Sequence, residues 1–597
     1  MDEKKISVLL DGKTDMVRGA KEILCFADGA YSDKPEGEDI KLELIHEDGV
    51  WLADVSAGTA FRLPVTKYNI DYIIAKYRTK ITFDDCVLSV STEKSNPYTD
   101  REDPWFIYGE EWLMRYLFRD EYLKNCGITR LKAPKHPFSR EEPYGDLDVK
   151  KGYDVYHFAF RIEGEGIEYP YYSIGVVKPA DDDVNFVLFV LKSATEKDAV
   201  MEELIASCTR FAPKGVQKNY FDAGEPKENP RWTEETRAYF RKLSKADRVE
   251  WGVFSYSMPG LQEQLDENNE DYLHYLKLSR DMEQAIEEGW GKPFDIYPTY
   301  THLGKGESVE KYDAHYFPSA MAKELAGGNG FNGKPVLQFT YQFTLNNNLV
   351  GENQTPAFDI LRGKFDEQFR RLAKDIKAYE KPVLFRLNNE MNTDWTSYCG
   401  MVSLLDPDIC CENWRRLYRI FEEEGVNNCI WIWNPIATSC PYSAWGEDLC
   451  YFPGVDYAQM LGGTSYEMNN YKAEEAPEKI VSFKKHYQSL YEKNKAAFSR
   501  WSMILSEFAC GSGGDCSGEL GRNTQVQAQW VRDMFKELHA KEKPDWVKQL
   551  KGAIWFNCND ESGDKVMNRL RFIDPEGEKE NATVQAFREC FREERQK

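Results

Sequence analysis

Short apolar runs alternate with amphipathic stretches from residue 249 to residue 559. The runs cover residues 249–257, 294–301, 335–343, 382–390, 428–435, 460–467, 501–508 and 552–559. Between them, segments such as Asp366–Tyr379 place Phe369, Leu372 and Ile376 on one helical face. Strands that alternate with helices form parallel sheets, and eight repeats predict a closed (β/α)8 TIM barrel. The alternative, an open doubly wound sheet, would carry a glycine-rich phosphate turn after its first strand, and GVFSYSMPG is not such a turn.

The first third of the chain has a different pattern, in which strand-like runs outnumber helical ones. We expect strands near residues 41–46, 80–91, 155–162, 171–177 and 184–191, and a helix over Glu196–Cys208. The sequence therefore predicts an α+β accessory domain over residues 1–215, which we interpret as a scaffold or a docking module for a protein partner. Its last strand and helix faintly resemble small α+β domains of the PsbP/Mog1 type. A segment rich in Lys, Asn, Gly and Pro predicts a linker over 216–234, followed by the barrel over 235–597.

Composition and charge narrow the possible partners. The net charge is −23 and no basic patch is present, which argues against nucleic acid and anionic membrane surfaces. Aromatic residues make up 14% of the chain; such side chains stack on sugar rings and also fill cores. The charged N-terminal residues and the lack of a membrane-length apolar run favour a cytoplasmic protein, or a secreted one if a leader was removed. The 14 cysteines form no CxxC pair and the eight histidines no HExxH motif, so we expect neither a metal nor another cofactor.

Two strand ends carry the candidate catalytic residues. The active site of a (β/α)8 barrel lies at the carboxyl ends of its strands. Here the fourth run ends at Glu390 and the seventh at Glu507. Two carboxyl groups across a glycosidic bond can supply a general acid and a nucleophile or base, although each could instead form a structural ion pair. The pattern therefore favours hydrolysis of a glycosidic bond.

Other residues at the strand ends are candidates for positioning the substrate. Tyr466 closes the sixth strand and could donate a hydrogen bond to the nucleophile, and Trp555 in the eighth could stack on a sugar. His302 follows the second strand. Ordinary barrel packing is the alternative for all three. By alternation, Arg386 would lie one layer below Glu390, and Met503 and Leu505 would lie on the same face as Glu507.

Residues from about 249 to 590 resemble glycoside hydrolase family 26, clan A barrels whose best-known members are β-mannanases. The motifs that carry the resemblance are PVLFRLNNEMNTDW, NCIWIWNP, YAQMLGGTSYE and SEF, in this order. The resemblance implies that Glu390 is the acid/base, Glu507 the nucleophile, and Tyr466 and Trp395 the family's tyrosine and tryptophan. The family usually has histidine where this chain has Asn389, whereas other clan A families use asparagine there to hold the sugar 2-hydroxyl. We expect this difference to affect sugar specificity.

Together, these observations predict a retaining glycoside hydrolase, similar to endo-β-1,4-mannanases, that cleaves β-linked manno- or gluco-configured glycans. The mechanism would be a double displacement with two glutamates. The alternative is a carbohydrate-binding barrel without catalytic activity. The exact sugar, the linkage and the choice between endo and exo action stay open at this point.

Overall fold

A computed structural model describes most of the barrel and about half of the N-terminal region. The described residues are 22–25, 41–46, 49–54, 59–65, 67–71, 78–94, 116–117, 119–134, 149–179, 185–210, 222–255, 294–303, 317–325, 335–344, 355–468, 480–512, 523–562, 565–572 and 580–596.

Two antiparallel sheets form the part of the N-terminal region that the structure describes. The first has the strand order β1-β2-β3-β4-β12 and consists of Glu22–Cys25, Lys41–His46, Gly49–Asp54, Thr59–Leu63 and Thr209–Arg210. The second has the order β5-β6-β7-β11-β10-β9-β8. Its strands β5 to β11 are, in chain order, Asn69–Asp71, Arg78–Phe83, Cys86–Lys94, Ile128–Lys132, Tyr153–Ile162, Tyr171–Pro179 and Asn185–Ser193.

Helices α1 (Asp120–Asn125) and α2 (Asp198–Ser207) accompany these sheets. The single strand expected over 80–91 is wrong, because the chain turns at Asp84, whose φ is +46°, and forms the β6–β7 hairpin. The expected α+β character of this region is confirmed.

The eight apolar runs form the predicted closed parallel barrel. Strands β13 to β20 are Glu250–Ser255, Ile296–His302, Val336–Gln342, Val383–Leu387, Cys429–Trp433, Met460–Glu467, Met503–Cys510 and Leu550–Asn557. The other described helices, α3 to α11, are Glu234–Ser244, Ser319–Glu324, Ala357–Leu361, Asp366–Tyr379, Asp408–Glu424, Phe483–Phe498, Thr524–Leu538, Asp545–Gln549 and Ala582–Gln596. A hairpin of β21 (Asn559–Ser562) and β22 (Lys565–Arg569) follows the barrel.

Alternation along the strands divides the core into two layers. Inward-facing residues such as Ile296, Leu384, Ile432 and Ile554 fill the barrel interior, as branched side chains do in this fold. Outward-facing residues pack under the surrounding helices. Helix α3 covers the amino ends of the strands, where the hydroxyl of Tyr239 donates to Glu250 at 2.8 Å. The carboxyl ends are thus left as the open face of the barrel.

Residues 222–234 of the expected linker lie against the barrel. The side chain of Trp232 is buried and its indole donates to the carbonyl of Cys429 at 2.7 Å. The amide of Ala223 donates to the carbonyl of Ala497 at 2.9 Å. This segment is therefore fixed by packing and by hydrogen bonds.

The second N-terminal sheet packs on the barrel through a shared apolar cluster. Phe158, Phe160 and Ile174 of that sheet contact a set that includes Met401 and Leu405, which follow β16. A cavity of about 830 Å³ lies in the same interface, and its lining includes Lys80 and Tyr457 but neither Glu390 nor Glu507. None of the described helices is long and apolar enough to cross a membrane.

Candidate active site

The chain leaves β16 just before the candidate acid. The strand ends at Leu387, and both Asn388 and Glu390 have left-handed backbones, with φ of +48° and +57°. Side-chain amide and backbone contacts hold this turn: the Oδ1 atom of Asn388 accepts from the amide of Phe343 at 2.8 Å. The alternation by which Arg386 would lie one layer below Glu390 assumes that the strand continues, whereas β16 ends three residues before Glu390.

A β-bulge at Ser506 directs Glu507 into the barrel. The pairing of β18 with β19 passes from Gly463–Leu505 directly to Thr464–Glu507, so that Ser506 is the extra residue. Ile504 faces the interior, whereas Met503 and Leu505 pack outward with the helix-facing core. The expectation that Met503, Leu505 and Glu507 share one face is thus wrong. The bulge reverses the alternation, as one additional residue must.

Four donors surround the carboxylate of Glu507. Its Oε1 atom accepts from the Tyr300 hydroxyl at 2.7 Å, from Arg386 Nη2 at 2.5 Å and from Asn389 Nδ2 at 3.4 Å. Its Oε2 atom accepts from the Tyr466 hydroxyl at 2.8 Å. An ionised carboxylate can accept all of these bonds because it has only acceptor sites. Burial, together with the charge of Glu507, raises the pKa of both tyrosines, which keeps them as donors.

Arg386 is completely buried below this carboxylate. Besides Glu507, it donates from Nε to Thr340 at 2.9 Å and from Nη1 to Asn434 at 3.3 Å. Its guanidinium also lies 5.0 Å from the ring centroid of Tyr300. Burial alone would lower its pKa, but Tyr300 and Glu507 outweigh burial and raise it. A buried cation that is hydrogen-bonded on three sides fixes the position of Glu507.

Glu390 has a different environment. It is half-buried, and its Oε2 atom accepts a hydrogen bond from the indole of Trp395 at 3.0 Å. Burial and then the charge of Glu507 raise the pKa of Glu390 to about 8, although Trp395 and Arg386 oppose the rise. A carboxyl group with this pKa holds a proton near neutral pH, as a general acid must. The side chain of Trp395 is 42% exposed.

Asn389, which precedes Glu390 in the chain, contacts the carboxylate of Glu507. While its Nδ2 atom points to Glu507, its Oδ1 atom accepts from Gln342 Nε2 at 2.7 Å, which sets the orientation of the amide. Its backbone carbonyl accepts from the hydroxyl of Tyr398 at 2.6 Å. The side chain is thus held on two sides, at the base of the open face.

Trp555 lies away from this group of residues. It is buried between β20 and the helices, 5.4 Å from the rings of Phe508 and Phe587, and its indole donates to the carbonyl of Leu570 at 3.0 Å. The expected stacking role for Trp555 is therefore wrong. Its neighbour Phe556 faces inward instead, 5.8 Å from Tyr466.

His302, the last of the candidates, lies at a strand end, whereas the two tryptophans of β17 lie in the core. His302 is half-buried at the carboxyl end of β14, where its backbone is in register with Gln342. Trp431 packs outward on Phe385 and Tyr418, and Trp433 on Phe452, so both belong to the helix-facing core.

The sequence pattern missed Tyr300 and Gln342. Both lie near the carboxyl ends of their strands, and Tyr300 is on the same face as His302, two positions before it. The signal that could have identified Tyr300 is a polar aromatic residue on the inward face at the end of a strand. Among the residues that the structure describes, no cluster of three or more metal-ligating side chains is present.

Part of the barrel matches a known protein family. Residues 337–500 match the sequence model of glycosyl hydrolase family 26. The predicted family resemblance is thereby confirmed. The matched segment contains Glu390, Trp395 and Tyr466, whereas Glu507 lies just beyond it.

The chain is also similar to individual proteins. Endoglucanase H of Acetivibrio thermocellus is 26% identical over 211 residues, which are 34% of this chain and 21% of that protein. The chain thus matches about a fifth of the length of this relative. Among solved structures, a mannanase of Bacillus subtilis is 15% identical, with a TM-score of 0.35 over 56% of this chain and 89% of that one. A family 26 β-mannanase of Bacteroides ovatus is 13% identical, with a TM-score of 0.38 over 60% and 93%.

Proposed function

We propose that this protein is a retaining glycoside hydrolase that cleaves β-linked manno- or gluco-configured glycans. The observation that carries the proposal is the contrast between two carboxyl groups at one end of the barrel. Among the residues that the structure describes, four donate hydrogen bonds to Glu507 and one donates to Glu390, which has a raised pKa of about 8. Paired carboxyl groups in different environments are the arrangement that glycosidases use.

In the first step, a carboxylate oxygen of Glu507 attacks the anomeric carbon. The bond from that carbon to the leaving oxygen breaks, and the proton of Glu390 passes to that oxygen. In the second step, Glu390, now ionised, removes a proton from water, and the water oxygen displaces Glu507 from the sugar. The proton thus returns to Glu390 and the configuration at the anomeric carbon is retained.

Tyr300, Tyr466 and Arg386 would keep the nucleophile in line with the anomeric carbon. They bond both oxygens of Glu507, so the carboxylate cannot rotate freely. Exposed Trp395, beside the acid, would support the sugar on the leaving-group side. We propose that His302, at the end of β14, contacts a sugar further along the cleft.

Asn389 is the residue on which we expect sugar configuration to depend. Its Nδ2 atom lies 3.4 Å from Glu507, and the carbon next to the anomeric carbon carries the 2-hydroxyl. A group close to the nucleophile is therefore within reach of that hydroxyl, which is axial in mannose and equatorial in glucose. The similarity to an endoglucanase over part of the chain supports keeping both configurations in the proposal.

A panel of β-mannan, β-glucan and their oligosaccharides, with products identified by mass spectrometry, tests the proposal. The intact chain should release products from one of these substrates. Glu390→Gln and Glu507→Gln should each lower kcat by at least about 10²-fold, because one loses the acid and the other the nucleophile.

Glu250→Gln is the matched control, since Glu250 is a buried carboxyl of the barrel at the opposite end of the strands. It should retain activity. Binding of the glycans by the wild type without any turnover would contradict the proposal and favour a carbohydrate-binding barrel.

A further inference from the structure

The second N-terminal sheet contacts a loop of the barrel through a buried carboxyl group. Glu93 on β7 is 1% exposed, and its Oε2 atom accepts a hydrogen bond from the backbone amide of Ala444 at 2.9 Å. Its Oε1 atom accepts from the hydroxyl of Ser91 at 2.6 Å, which orients the carboxyl group. Burial of a carboxyl group is unfavourable without such partners. The hydrogen bonds from Ser91 and Ala444 therefore stabilise Glu93 at this position.

Ala444 belongs to the loop of residues 434–446, which follows β17 and binds Asn392. The Nδ2 atom of Asn392 donates to the carbonyl of Ile436 and to the hydroxyl of Ser439, both at 3.1 Å. Its Oδ1 atom accepts from the amide of Ile436 at 2.9 Å, and its carbonyl accepts from the amide of Cys440 at 3.0 Å. The loop and Asn392 are therefore joined by four hydrogen bonds.

The same loop binds the backbone of Glu390. The amide of Glu390 donates to the carbonyl of Asn434 at 2.8 Å, and its carbonyl accepts from the hydroxyl of Thr393 at 2.8 Å. Glu390 has a φ of +57°, a conformation that a glutamate adopts only when its surroundings enforce it. Contacts with the 434–446 loop are among those that enforce it here.

We propose that Glu93 is a positioning residue for Glu390, acting through the 434–446 loop and Asn392, so that the N-terminal sheet is part of the catalytic unit. This inference rests on the proposed acid/base role of Glu390. It gives the N-terminal region a function in the reaction, in addition to packing on the barrel.

The test compares two aryl β-glycosides of the sugar that the wild type hydrolyses. The 2,4-dinitrophenolate leaving group departs from its glycoside without protonation. The phenolate leaving group of the phenyl glycoside needs a proton from the acid. Because kcat/KM reports the first step, Glu93→Ala should lower kcat/KM about 10- to 100-fold for the phenyl glycoside and less than about 3-fold for the dinitrophenyl glycoside. Glu93→Gln retains an acceptor oxygen. The ratio of kcat/KM for the two glycosides should therefore be close to that of the wild type.

Tyr122→Phe is the matched control. The hydroxyl of Tyr122 is a buried donor to the carbonyl of Val402, which lies outside the 434–446 loop, and this is another contact between the N-terminal region and the barrel. Its loss should lower the melting temperature without changing the ratio of the two kcat/KM values. If Glu93→Ala does not fold, Glu93→Asp replaces it in the test. The aspartate is shorter by one methylene, so its carboxylate lies further from Ala444, and the ratio of the two kcat/KM values should change in the same direction.

If the Glu93 variants lose kcat/KM equally for both glycosides, as after a general loss of stability, this inference is overturned and the proposed function is not. A wild type that hydrolyses no glycoside would overturn the proposed function, and the inference with it.

Discussion

At the scale of single residues, the pKa of Glu390 determines the pH range of the proposed reaction. Burial and the charge of Glu507 raise it to about 8, and the hydrogen bond from Trp395 lowers it. Since the acid must be protonated, kcat/KM should fall as the pH rises through about 8. Removal of the indole donor in Trp395→Phe should move this limb of the profile to higher pH.

The measurement is the pH profile of kcat/KM for a glycoside with a poor leaving group. Tyr442→Phe is the control, because Tyr442 is also an exposed aromatic residue, at 57% exposure. It should leave the limb in place. A limb that stays fixed or moves to lower pH in Trp395→Phe would contradict the assignment of Glu390 as the acid.

The sequence located both carboxyl groups because each closes an apolar run, which is a local signal. It missed Tyr300 because its role depends on a contact with Glu507, more than 200 positions away along the chain. It misplaced Trp555 because a tryptophan on either face of a strand satisfies the same apolar pattern. Only the register of β20 with its neighbours shows that Phe556, and not Trp555, faces inward.

At the scale of elements, the strands and helices of the barrel follow their sequence periods closely, and two of the irregularities lie at the site. The β-bulge at Ser506 and the left-handed residues after β16 break the alternation where Glu507 and Glu390 lie. The sequence MILSEF does not predict a bulge, because it is equally compatible with a regular strand. Local rules are expected to fail first at functional sites.

Helix ends give a prediction about stability that is independent of the site. Helix α6 is followed by Glu380, an exposed residue with φ of +61°, and helix α7 is followed by Gly425, with φ of +72°. A left-handed conformation disfavours any residue with a Cβ atom, so Glu380→Gly should increase the free energy of unfolding by roughly 1 kcal/mol.

Gly425→Ala is the reverse change at an equivalent position and should decrease the free energy of unfolding by about the same amount. The added Cβ atom would meet only the flexible end of Lys377, at 3.1 Å, so the backbone should account for most of the effect. Urea denaturation of both variants tests this. A loss of stability in Glu380→Gly would contradict the account.

At the scale of the whole molecule, a buried ion network joins the N-terminal sheet to the barrel. Lys192 on β11 donates to Asp406 at 2.9 Å and to Asp408 at 2.7 Å, and the hydroxyl of Tyr172 donates to Asp406 at 3.0 Å. Burial would lower the pKa of Lys192, but the two carboxylates outweigh burial and raise it. The sequence could not predict this network, because its members lie more than 200 positions apart.

Lys192→Met should decrease the free energy of unfolding by about 3–5 kcal/mol, because it leaves Asp406 buried with its main partner removed. Lys132→Met is the matched control. Lys132 pairs with Glu202 at 2.7 Å, but the two side chains are 35% and 60% exposed, so its loss should change stability by less than about 1 kcal/mol. Equal effects of the two substitutions, measured by chemical denaturation, would show that the network does not hold the two parts together.

The central claim is that Glu507 forms a covalent bond to the sugar. An activated 2-deoxy-2-fluoro-β-glycoside of the configuration that the enzyme hydrolyses slows the second step more than the first and so traps that intermediate. Mass spectrometry of the intact protein, followed by peptide mapping, should find one fluoroglycosyl group on Glu507. Full activity without such an adduct, or an adduct on another residue, would contradict the account.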